Sequence, residues 1–156
     1  MRIDLPDADA TERAGQRLAG GLEALGGPVL IVLEGPLGAG KTTLVRGLLR
    51  GMGHEGRVRS PTFTLLEPYE LAGKTVAHLD LYRLADPAEL DFLGVSDLVV
   101  PGNVILVEWP ERGGDRLPRA DLKLCLDYDG PGRCLRAEAS TPAGKALANA
   151  LLPACQ

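Results

Sequence analysis

Cysteines, long apolar runs and basic tracts are all scarce in this chain of 156 residues, and each scarcity excludes a class of protein. The three cysteines, Cys125, Cys134 and Cys155, show no metal-ligand spacing and leave an odd thiol in any pairing scheme. That excludes a zinc framework and a disulfide-built scaffold, and fits idle thiols in a reducing compartment. No apolar run approaches the roughly 20 residues needed to span a bilayer. The N-terminal stretch MRIDLPDADATERAG lacks the apolar segment of a secretory signal, so the expected address is cytoplasmic, with no membrane partner. There is no dense basic tract, and the formal net charge is -4. A protein that grips nucleic acid alone must displace counterions from many phosphates, so direct, tight nucleic-acid binding is not expected without a partner's surface. Repeats, low-complexity tracts and linkers are also lacking. With 45% hydrophobic and 24% charged residues, one globular domain over residues 1–156 is expected.

Against these absences stand several ordered patterns. Asp9, followed three residues later by Glu12, suggests a capping pair, and Ala14, Leu18, Leu22 and Leu25 recur at helical spacing. Gly15, Gly20 and Gly21 weaken that helix on propensity. PVLIVLEG then supplies five consecutive apolar residues, Val29 to Leu33, as in a strand of a parallel α/β sheet buried on both faces. A helix with Leu44, Val45, Leu48, Leu49 and Met52 on one face follows, and Gly53 can end it. Two extended segments are expected around Ala72-Gly73-Lys74. Asp86, Pro87, Glu89 and Gly94 bracket a short capped helix. Val104 to Val107 reads as a second buried strand ending on Glu108. Leu122, Leu124 and Leu126 begin a hairpin that turns at Asp129 to Gly132, and TPAGKALANALL closes the chain as a helix.

Between the first buried strand and the helix lies Gly35-Pro36-Leu37-Gly38-Ala39-Gly40-Lys41-Thr42, which fits G-x-x-x-x-G-K-[ST] without substitution. At average residue frequencies the four defined positions match by accident in about one chain of this length in a few hundred, and the strand-before, helix-after context removes most of those. The chemistry requires glycines so that the backbone can bend around phosphate oxygens and present its N–H groups. The helix N-terminus adds its dipole. Lys41 would neutralise the β and γ phosphates, the Thr42 hydroxyl would ligate magnesium, and Thr43 would bond a phosphate further back. Such a loop needs a carboxylate at the end of a neighbouring strand. Glu108 is the better match, because VILVE is a buried run; Asp80, ending TVAHLD, is the second candidate.

Other residues have two readings each. Trp109, the only tryptophan, packs or lies beside the nucleotide. His78 alternates with Asp80, so both can share a sheet face, although a lone strand histidine is usually structural. Arg57 and Arg59 reach phosphates or a partner, or are simply solvated. Ser60 to Thr64 (SPTFT) suits a segment that senses the γ-phosphate, or a strand entry shaped by Pro61. A GTPase would require Asn-Lys-x-Asp, which is absent. Asp91 to Gly94 (DFLG) fits the loose D-x-x-G pattern but follows no buried strand. A small-molecule kinase would need an acceptor pocket and an arginine-bearing lid, and the short segment before Val104 holds only Arg83 after Arg59. A nucleotide-dependent binding module with incidental hydrolysis stays open, as does the kinase.

GPLGAGKTTLVRGLLRGMG, SPTFTLLEPY, HLDLYRLADPAELDFLGV and ILVEWPER, in that order and spacing, resemble the TsaE (YjeE) family of bacterial tRNA threonylcarbamoyladenosine biosynthesis ATPases. The resemblance covers about Leu33 to Arg112. It implies a P-loop mononucleotide-binding α/β fold with a mixed central sheet flanked by helices, magnesium-dependent binding of ATP or ADP, and slow hydrolysis. It further implies action with a TsaD–TsaB pair that modifies adenosine beside the anticodon of tRNAs reading codons that begin with A. This chain would meet tRNA only through that complex. On this sequence it makes Lys41, Asp80 and Glu108 catalytic and gives magnesium to Thr42 and Glu108. Gly35, Gly38, Ala39, Gly40, Lys41, Thr42, Thr43, Thr64 and Trp109 become nucleotide contacts. Pro36 stands where the family usually has aspartate; proline removes only its own N–H, so binding is expected to survive.

Overall fold

A computed structural model describes residues 1–71 and 73–154. Its seven strands are β1 (Arg2–Leu5), β2 (Val29–Glu34), β3 (Leu66–Leu71), β4 (Lys74–Asp80), β5 (Asn103–Glu108), β6 (Leu122–Asp129) and β7 (Gly132–Ala139). They form one sheet in the order β1-β7-β6-β2-β5-β4-β3. The four central strands, β6, β2, β5 and β4, run parallel, and an antiparallel strand or pair closes each side. The fold is therefore the mixed α/β sheet expected. Its helices are α1 (Ala8–Leu22), α2 (Lys41–Gly51), α3 (Glu89–Leu93) and α4 (Pro142–Ala150), and none of the described helices is long and apolar enough to cross a membrane.

The two buried runs are fully buried because both sheet faces are covered. Val29, Ile31 and Leu33 of β2, with Val104 and Leu106 of β5, join Leu44, Val45, Leu48 and Leu49 of α2 and Leu18 and Leu22 of α1 in one cluster. Leu30, Val32, Ile105 and Val107 face the other way, onto Leu81, Leu84, Leu90 and Val95. The period-two alternation of side chains thus splits one continuous apolar run between two cores.

Helices α1 and α2 cross in backbone contact. A Cβ built on Gly15 would lie 2.1 Å from the Leu44 carbonyl oxygen, and one on Gly47 would lie 2.0 Å from that of Glu12. Gly15, read from propensity as a weakness of α1, is therefore what lets α2 approach. Gly21 likewise faces α4, where a Cβ would come within 2.9 Å of that of Ala150. Only Gly20 behaves as propensity suggested, with nothing within 4 Å.

Other local expectations met mixed outcomes. The cap of α1 is Asp7, whose side chain accepts the Ala10 N–H at 2.8 Å, and not Asp9. β1 was not anticipated; it is a four-residue edge strand paired to β7. The hairpin around residues 72–74 is β3–β4, with Ala72 outside the described residues, but its first arm begins only at Leu66. Glu89 accepts from the Ala85 and Asp86 amides and Gly94 ends α3 in a left-handed conformation, as expected, but α3 begins only at Glu89 with Ala88 in the cap position, so Asp86 and Pro87 lie in the turn before it. Gly53, at φ 102°, follows the end of α2. Cys125 and Cys134 are free and sit opposite Arg136 and Asp127 respectively, not opposite each other; Cys155 lies outside the described residues.

Candidate functional site

The register of the parallel strands brings the two acidic candidates together. Asp80 and Glu108 are cross-strand neighbours at the carboxyl ends of β4 and β5, and Leu33, beside Glu108 on β2, leads into the Gly35–Gly40 loop. Ligands of parallel α/β sheets gather beyond this edge of the strands. The loop runs from β2 to the first turn of α2, and Gly40 caps that helix with φ 104°, a conformation that favours glycine. The Pro36 carbonyl accepts the Ala39 N–H at 3.2 Å, so exposed Pro36 opens a turn that leaves later amides free.

A cleft of about 360 Å³ lies over this loop, lined by Gly38, Gly40, Lys41, Thr42, Thr43, Ser60, Thr62, Asp80, Tyr82 and Glu108, with Leu37 at its rim. Within it the polar groups form one network. Thr42 Oγ1 donates to Glu108 Oε1 at 3.4 Å, and Ser60 Oγ lies 3.0 Å from Glu108 Oε2 and in a short contact with Asp80 Oδ2. Asp80 Oδ1 accepts the Tyr82 N–H at 3.0 Å. From below, His78 Nε2 donates to Glu108 Oε2 at 2.7 Å.

Lys41 is 5% exposed. Its ammonium donates to the Gly35 carbonyl and stands 3.7 Å above the Trp109 ring centre. Burial pushes its pKa below the ordinary lysine value, against the opposing pull of Glu108, Glu111 and Asp80. Trp109 reaches this place through a left-handed backbone, φ 57°, which is strained for a bulky residue. Its ring also packs on Tyr82, with centroids 5.0 Å apart. Trp109 therefore packs and sits beside the loop lysine at once.

Besides Trp109, three candidate contacts do not line the cleft: Gly35, Thr64 and Ala39, which is buried and lines a smaller neighbouring cavity. Thr64 is exposed and lines only an adjoining cavity with Arg57, Arg59, Phe63 and Tyr69, whereas Ser60 and Thr62 of the same segment line both that cavity and the cleft. Gly35 holds the loop instead of lining it: a Cβ there would meet the Leu126 carbonyl at 2.3 Å. Sequence reading missed a second cavity of about 170 Å³ that shares Gly38, Gly40 and Thr43 with the cleft and adds Asp7, Thr11 and Arg133. It also missed the β6–β7 hairpin as a support. Tyr128 OH donates to the Leu37 carbonyl, Arg133 donates to the Gly38 carbonyl at 3.1 Å, and the guanidinium lies 4.4 Å above the tyrosine ring. These residues come within reach because β6 is a direct neighbour of β2, which no local pattern reveals. Tyr128→Phe removes only the hydroxyl, and is expected to weaken binding of whatever phosphate ligand the loop holds by about 3- to 10-fold, the worth of one partly exposed hydrogen bond. An unchanged melting temperature beside the weakened calorimetric titration would place that loss in the loop.

Chemically, the cleft offers an ammonium, free loop amides at a helix N-terminus, hydroxyls and two carboxylates, the groups that suit a phosphate chain with a hard cation.

Comparison with known proteins agrees with this architecture. The family model for threonylcarbamoyl adenosine biosynthesis protein TsaE matches residues 5–135. The tRNA threonylcarbamoyladenosine biosynthesis protein TsaE of Haemophilus influenzae is 48% identical over 122 residues, 78% of this chain and 77% of that one. Its counterpart in Synechocystis is 45% identical over 116 residues, 72% of this chain and 71% of that one. The crystal structure of Bacillus subtilis YdiB superposes with a TM-score of 0.76 at 24% identity, covering 97% of this chain and 93% of that one, which shows a shared fold. The chain therefore belongs to the TsaE family, a family of tRNA threonylcarbamoyladenosine biosynthesis proteins.

Proposed function

We propose that this protein is a cytoplasmic, magnesium-dependent ATPase that drives turnover of a TsaD–TsaB-type complex making threonylcarbamoyladenosine next to the anticodon. The observation that carries the reading is the convergence of Thr42, Ser60, Asp80 and Glu108 beside Lys41 at the carboxyl edge of the parallel strands.

The donor set fits magnesium, which keeps several waters and takes one or two carboxylates plus phosphate oxygens. Thr42 Oγ1 and Glu108 Oε1, 3.4 Å apart, would hold it. Bound there, the ion would neutralise charge on the β and γ phosphates. Lys41, next to Thr42 in the same loop, adds a second positive charge, and the loop amides orient the phosphate chain. Asp80, fixed by the Tyr82 amide, is placed to orient the attacking water, with Ser60 spanning it and Glu108. The adjoining cavity bounded by Thr43, Asp7, Thr11 and Arg133 takes the nucleoside. Intrinsic turnover is slow, because no arginine is among the residues lining the cleft to stabilise the transferring phosphoryl group, and completion by a partner is a common remedy. The acidic net charge suits a component that leaves tRNA to its partners.

The test is ATP hydrolysis by the protein alone and with the purified partner pair. A rise in turnover with the pair is expected; equal turnover would count against coupling. Glu108→Ala should still assemble with the pair in ATP yet lower turnover by about 100-fold or more, and fail to sustain modification. Sustained modification by that variant would instead favour a nucleotide-dependent binding module.

A further inference from the structure

We infer that His78 is a positioning residue for Glu108, fixing which carboxylate oxygen faces the cation. This rests on the magnesium–nucleotide reading above.

His78 is fully buried, in the row Val76–His78–Asp80 that β4 presents to the same sheet face as Leu106 and Glu108 of β5. An apolar side chain would satisfy such a place. Instead it holds an imidazole whose Nδ1 is the one buried side-chain polar atom without a hydrogen-bond partner among the described residues. Buried polar atoms are nearly always paired, so an orphan in the core asks what its ring is for. Its other nitrogen answers: Nε2 lies 2.7 Å from Glu108 Oε2, and a bond to a carboxylate oxygen requires the proton on Nε2. The Nε2–H tautomer leaves Nδ1 as a bare lone pair.

Glu108, 2% exposed, is thereby oriented. Its Oε2 takes His78 and Ser60, and its Oε1 is left toward Thr42. The two donors are unequal. Ser60 has one hydroxyl proton to share between Asp80 and Glu108, and it rides on the segment after α2. His78 is locked in a central strand and serves Glu108 alone. Donors behind a ligating carboxylate commonly set metal affinity by 10- to 100-fold.

The experiment titrates ADP calorimetrically into wild type, His78→Leu and His78→Gln, first in EDTA and then across a MgCl2 series. The glutamine amide reaches about as far as Nε2. His78→Leu is expected to bind ADP in EDTA within about 2-fold of wild type but to need about 10-fold more MgCl2 for the same tightening, with His78→Gln restoring the need to within about 3-fold. In a Glu108→Gln background the leucine substitution should add nothing further. A leucine variant whose MgCl2 requirement matches wild type would overturn the inference. If His78→Leu fails to fold, His78→Asn, too short to reach Glu108, is compared with His78→Gln, and equal MgCl2 requirements overturn it. Wild-type ADP binding that ignores MgCl2 would be a separate failure, removing the magnesium reading and this inference with it.

Discussion

Gly47→Ala is expected to lower stability by about 2–3 kcal/mol, although alanine is the better helix former. The new Cβ would lie 2.0 Å from the Glu12 carbonyl oxygen, 2.8 Å from its carbon and 2.9 Å from its Cα. All three are backbone atoms of α1, so no side chain can swing aside, and the helices must part. Overpacking of this kind costs about 3 kcal/mol or more. The gain in helix propensity returns about 1 kcal/mol. For a chain of this size the net loss corresponds to about 5–10 °C in melting temperature. Gly20→Ala is the control: it lies in α1 with open space around it and should gain a few tenths to 1 kcal/mol. Thermal melts of the two variants separate propensity from packing. A Gly47→Ala protein as stable as wild type would mean that α1 and α2 do not touch. Because α2 begins at Lys41 and Thr42, the same variant should also weaken nucleotide binding, through displacement of the helix.

What the sequence made legible follows from how far each signal reaches along the chain. β2 and β5 were readable because a strand covered on both faces must be apolar throughout, and the loop between β2 and α2 was readable because its chemistry is contiguous. Glu108 was found as the last residue of such a run. β1 escaped because Arg2-Ile3-Asp4-Leu5 has two apolar positions and borrows its pairing from β7, far along the chain. The meaning of Gly15 and Gly47 lies in a helix crossing, which periodicity cannot see. His78 was placed on Asp80's face by alternation, yet its bond to Glu108 needs the register of β4 on β5, which is a property of the assembled sheet. Thr64 shows the converse limit. SPTFT offers three hydroxyls, and only the chain's path after Pro61 decides that Ser60 and Thr62 enter the cleft and Thr64 does not.

Lys41→Met should separate stability from function in opposite directions. The ammonium makes charge-assisted contacts with phosphate oxygens in the proposed complex, each worth about 1.5–3 kcal/mol, so losing it should weaken ADP and ATP binding by about 100- to 1,000-fold. Without nucleotide the variant should melt no lower than wild type, since burial disfavours the charge and methionine fills a similar volume. The pH dependence has a definite sign. Because the folded pKa lies below the ordinary value of 10.5, the unfolded chain holds more protons through the interval between the two, and wild-type stability from this group rises with pH there. Methionine has no such proton, so the variant's advantage over wild type should shrink as pH is raised toward 10.5. Denaturant melts of both proteins across that range measure the difference directly, with other titrating groups cancelling. An advantage that widens with pH would show that the folded protein favours the charged lysine. The cation–π contact with Trp109, the Gly35 carbonyl and the carboxylates of Glu108, Glu111 and Asp80 would then outweigh the cost of burying it.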